Sequence, residues 1–130
     1  MHEKEQYFIQ TFIKNSRQER LLFEFSHPDK RYRGLSRFCH NAEDLLNKGL
    51  IALSGTDLER QDAFRSFLRQ HSEPCRLISP SLEDTELPFP DAACTAFLLP
   101  DASITIGPGY ALVCSEPERG GSIKYLLIAR

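Results

Sequence analysis

SITIGPGYALVCSEPERGGSIKYLLIA, Ser103 to Ala129, decides the fold class of this chain. Three apolar runs, Ser103–Ile106, Tyr110–Ser115 and Ile123–Ala129, are separated by turn chemistry at Gly107-Pro108-Gly109 and from Pro117 to Gly121. Short runs rich in Ile, Val, Tyr and Leu, joined by glycine and proline turns, predict an antiparallel β-meander. Working back from it, Cys94–Leu99 before Pro100-Asp101 reads as another strand. The alternative is a short helix capped by Asp91 and ended at Pro100. Residues 79–91 hold Pro80, Pro88 and Pro90 and no periodicity, so an irregular segment is expected there.

The N-terminal half carries the other period. Phe8, Ile9, Phe12 and Ile13 predict an amphipathic helix over 3–14. Ser16-Arg17-Gln18-Glu19 has the form of a capping box opening a second helix to about Phe25, with Leu21, Leu22 and Phe25 inward. After the break at Ser26-His27-Pro28, Tyr32, Leu35, Phe38, Cys39, Ala42, Leu45 and Leu46 share one arc at 100° per residue, which predicts a long helix ending before Gly49. Leu50–Leu53 reads as a strand, and Thr56-Asp57-Leu58-Glu59 as a second capping box for a helix running to His71. Cys75–Ile78 reads as the next strand. Helices first and strands last predict an α+β fold, with N-terminal helices packed on a C-terminal, mainly antiparallel meander sheet. At 130 residues, the expectation is one domain spanning 1–130.

Composition narrows the class. Hydrophobic residues make up 41% and charged residues 26%, a globular balance. No apolar h-region follows Met1 and no stretch approaches the roughly 18 apolar residues of a membrane span, so a cytoplasmic protein without membrane contact is expected. Cys39, Cys75, Cys94 and Cys114 stand far apart among apolar neighbours, without C-x-x-C, and are expected to be free structural thiols with no disulfide, metal or cofactor. Residues 1–40 carry eight Lys/Arg against five Asp/Glu, and residues 41–130 eight against thirteen, so the halves are +3 and −5. That balance argues against a general nucleic-acid binder but permits a local basic patch.

Each candidate constellation also has an ordinary structural role open to it. Cys39-His40 has the residue types of a nucleophile and base, or of two metal ligands, but neighbours on a helix point about 100° apart and no further ligand stands at short spacing. Ser54-Gly55-Thr56 precedes a helix, yet Asp57 and Glu59 in the first turn would repel a phosphate. Lys30, Arg33, Arg37 and His40 form a basic stripe at spacings of three or four, able to grip a phosphate backbone or an acidic protein. Residues 79–91 carry Glu83, Asp84, Glu86 and Asp91 with Phe89 between two prolines, which would suit docking of a basic partner around an aromatic anchor. His71 fits the carbonyl end of its helix. The leading expectation is a protein-interaction or regulatory domain that binds a partner by surface complementarity. A small enzyme or ligand-binding domain with a polar site between sheet and helices comes second, marked by a pocket holding His40 or His71 among carboxylates. A nucleic-acid binder using Lys30, Arg33 and Arg37 is third.

Overall fold

The computed structural model describes residues 1–130. Six strands, β1 Ile51–Gly55, β2 Pro74–Ser79, β3 Leu82–Pro88, β4 Ser103–Gly107, β5 Tyr110–Cys114 and β6 Lys124–Ile128, form one antiparallel sheet in the order β1-β6-β5-β4-β2-β3. The helices are α1 Glu3–Phe12, α2 Asn15–Ser26, α3 Arg31–Ser36, α4 Ala42–Leu45, α5 Asp62–Gln70 and α6 Phe89–Leu98. The α+β class expected from the sequence is the class observed. No helix is long and apolar enough to cross a membrane.

Both faces of the sheet are covered. Successive strand residues point to opposite sides, so Ile104, Ile106, Ala111, Val113, Tyr125 and Leu127 face one cluster, while Tyr110, Leu112, Cys114 and Leu126 face another. The N-terminal helices and the turns that follow them fill the first cluster with Phe8, Phe12, Leu21, Phe25, Phe38 and Leu46. Helices α5 and α6 fill the second with Phe64, Phe89, Ala92, Ala93 and Ala96. Every residue of β4 and β5 is buried, which explains their nearly unbroken apolar runs. The turn joining them needs its glycines: Gly109 has φ +82°, and a Cβ at Gly107 would meet the Tyr110 ring at 2.5 Å.

Four expectations are corrected. Residues 79–91 are not irregular: Leu82–Pro88 is the edge strand β3, where a terminal proline removes no ladder bond that matters. Cys94–Leu99 is not a strand, because it belongs mostly to α6, opened by Pro90 in its first turn with Asp91 beside it. The long helix is broken into α3 and α4. Residues Arg37, Phe38 and Cys39 make tighter bonds to the carbonyls three back, and the Cys39 carbonyl accepts the Glu116 N–H at 3.0 Å instead of continuing the ladder. Tyr32 then leaves the seam and is 67% exposed, whereas Leu35 and Phe38 stay in the core. Neither capping box forms as read. Helix α2 starts at Asn15 without a side-chain cap, its entry set by the Lys14 N–H donating to the Leu45 carbonyl at 2.9 Å, and Thr56 precedes a 3₁₀ turn, so that α5 opens only at Asp62.

Candidate functional site

Two surfaces bring functional side chains together. The first lies between α2 and α3. Gly34 sits against the Phe25 ring, where a Cβ would come within 2.8 Å, so α3 can approach α2 closely. Beside this contact an open groove of about 540 Å³ is lined by Ser16, Glu19, Arg20, Phe23, Lys30 and Arg33, with Glu24 at its floor. Arg20, Lys30 and Arg33 have no carboxylate within 4.0 Å. Phe23 is 49% exposed, with the His27 ring 4.2 Å from its own. Tyr32 adds a second exposed ring on α3.

Of the expected basic stripe, Lys30 and Arg33 are therefore free. Arg37 is not: its Nε and Nη2 donate to the two oxygens of Glu24 at 2.7 and 2.8 Å. Glu24 is buried, and Arg37 holds its carboxyl below the usual carboxylate range, with Arg20 and Arg33 adding to the effect. His40 has turned away to a different surface.

The acidic segment takes another form from the docking loop expected of it. Asp84 accepts from Arg31 at 3.0 Å and from Arg76 at 2.9 Å, and Glu86 accepts from Lys4 at 2.6 Å. Glu83 and Asp91 project without a charged partner. Phe89 is fully buried, edge-on to Phe64, Phe67 and Tyr110, and cannot serve as a surface anchor. Beneath this edge the buried Glu5 receives Arg31 at 2.5 and 2.8 Å and Arg76 at 2.7 Å. Burial alone would raise the Glu5 carboxyl, but the two guanidinium groups hold it below the usual range.

On the second surface Cys39, His40, Glu116 and Glu118 line a recess of about 290 Å³, and Asp101, outside its lining, approaches Cys39 and Glu116. His40 Nε2 lies 3.1 Å from Glu116 Oε2, and His40 Nδ1 lies 2.6 Å from Glu118 Oε1. Cys39 Sγ, an Asp101 oxygen and a Glu116 oxygen are all within 4.8 Å of one another. Burial pushes the Cys39 thiol up, the Ala102 N–H bonded to it opposes this, and Glu116 and Asp101 add to the rise. The helical argument for separating Cys39 from His40 does not apply, since residues 37–40 form a turn.

The remaining cysteines are free, but they differ from the expected uniform burial: Cys75 and Cys114 are buried and Cys94 is exposed. Burial pushes the Cys114 thiol up to about 12. His71 closes α5, stacks on Phe67 at 4.1 Å and contacts Glu73 at 3.1 Å, while the Tyr110 hydroxyl donates to the same carboxylate at 2.7 Å. Sequence reading missed Arg20 and Phe23. Phe23 had a signal, an aromatic off the Leu21–Leu22–Phe25 arc. Asp101, Glu116 and Glu118 had none, because only the fold carries them to Cys39.

Comparison of the chain with protein-family models, with curated proteins and with solved structures finds no match.

Proposed function

We propose that this chain is a protein-binding module whose partner presents an acidic surface with an apolar side chain to the α2–α3 groove. One observation carries the reading: Arg20, Lys30 and Arg33, none with a carboxylate within 4.0 Å, line one groove with the exposed Phe23 ring. Arginine and aromatic residues dominate the energetics of protein interfaces, and unpaired cations steer an acidic partner into place. The acidic segment offers no second docking element, because Asp84 and Glu86 are neutralised within the chain and Phe89 is internal. Nucleic acid is the weaker partner, since the chain is −2 overall and Glu19 shares the groove with the three cations.

The test is photo-crosslinking in cells from a photoreactive phenylalanine analogue at position 23. An acidic protein is expected to be captured, and the paired change Arg20→Glu with Arg33→Glu to slow its association at least about tenfold with the fold intact. Crosslinks indifferent to the charge reversal, or nuclease-sensitive crosslinks, would refute the reading.

A further inference from the structure

We propose that Cys39, His40, Asp101 and Glu116 form a binding site for a divalent transition ion of the zinc type, with Glu118 orienting the histidine. The site goes beyond partner binding and lies on another surface. Its first support is the donor set. A thiol and two carboxylates converge, sulfur and oxygen ligands that zinc accepts, and the imidazole of His40, which touches this cluster only through Glu116 at 3.1 Å, has to swing in to complete a tetrahedral set of four. Tetrahedral zinc bond lengths place neighbouring ligand atoms about 3.3–3.5 Å apart. The observed thiol and carboxylate positions, within 4.8 Å, need to close by little more than an ångström.

The second support is the histidine. Its Nδ1 lies 2.6 Å from Glu118 and its Nε2 faces Glu116 at 3.1 Å. Ligating histidines characteristically give one ring nitrogen to a carboxylate while the other meets the metal. The 3.1 Å between His40 Nε2 and Glu116 Oε2 is close to the separation of two ligand atoms on one tetrahedral zinc ion, about 3.3 Å.

The third support is charge. Neither Asp101 nor Glu116 has a lysine or arginine within 4.0 Å, although other buried or half-buried carboxylates of the chain do, such as Glu5, Glu24 and Asp84. The three segments are already fastened, the Glu116 N–H to the Cys39 carbonyl at 3.0 Å, so little of the chain has to be ordered on binding.

The experiment uses the full chain, stripped with a chelator and titrated with Zn²⁺ by calorimetry and with Co²⁺ by absorbance. One equivalent is expected to bind, with a thiolate-to-cobalt charge-transfer band that Cys39→Ser removes. Asp101→Asn and Glu116→Gln, which keep shape and remove charge, are expected to weaken zinc binding by at least about tenfold, and Glu118→Gln by about 10- to 100-fold. Cys94→Ser, at the exposed cysteine, is expected to change nothing. A His40 ring simply hydrogen-bonded to the two glutamates is the competing account. Failure of the wild-type chain to take up one equivalent at micromolar zinc would overturn the proposal in its favour. Unaltered affinity in both Asp101→Asn and Glu116→Gln would overturn it as well.

Discussion

Glu5 is the residue on which the most depends. It is fully buried and touches two guanidinium groups contributed by α3 and β2, so it ties three elements together. Glu5→Gln keeps the shape but leaves Arg31 and Arg76 facing a neutral group, and a cost of about 3–5 kcal/mol is expected in urea unfolding at pH 7. The linkage has a definite sign. The folded carboxyl sits below its ordinary value of 4.5, so its stabilisation is full above that value and is lost as pH falls through the lowered one. Wild-type stability should therefore decline below about pH 4.5, and the decline should be shallower in Glu5→Gln. A slope identical in both proteins would show that Glu5 titrates normally. The sequence displays Arg37 and Asp84 as surface charges because a wheel or a composition count sees only neighbours. Glu24 lies 13 positions from Arg37, and Arg31 and Arg76 lie 53 and 8 positions from Asp84, pairings that only packing reveals.

Helix α6 shows what small residues do for an element. Ala92, Ala93 and Ala96 are buried against the sheet, where β4 offers the short side chains Ser103 and Thr105. A larger side chain has no room: Ala93→Leu should cost about 1–3 kcal/mol, while Cys94→Leu on the exposed side should stay within about 0.5 kcal/mol. Equal urea midpoints for the two variants would mean that the helix face is misassigned. This element was hard to read because alanine marks neither period, and the strand reading of Cys94–Leu99 rested on apolar content alone. Leu82–Pro88 was hard for the opposite reason. As an edge strand it has water along one side, so charges and a proline are tolerated, and Glu83 and Glu86 guard it against pairing with another chain. The strands of the meander were legible because turns and apolar runs agreed, and α1 because its whole apolar face meets the core. The break between α3 and α4 was not, since the apolar arc survives a turn that keeps the same side facing inward.

In the whole molecule, protection should follow depth in the sheet. Strands β4, β5 and β6 lie between two neighbours and beneath helices on both faces, whereas β1 and β3 each have one neighbour. Native-state hydrogen exchange is expected to be slowest at Ile104–Ile106, Ala111–Val113 and Tyr125–Leu127, and faster by orders of magnitude at the outward amides of β3. Uniform protection across the six strands would contradict this layering. The strand order also sets a timetable for synthesis. The sole partner of β1 is β6, with Ile51 paired to Leu127. A chain growing on the ribosome makes β1 early and must carry it, apolar and unmatched, through the making of β2, β3, β4 and β5. Slow translation over the turn at Pro117 to Gly121 would prolong that wait, and a neighbouring nascent chain could offer its own β6 first.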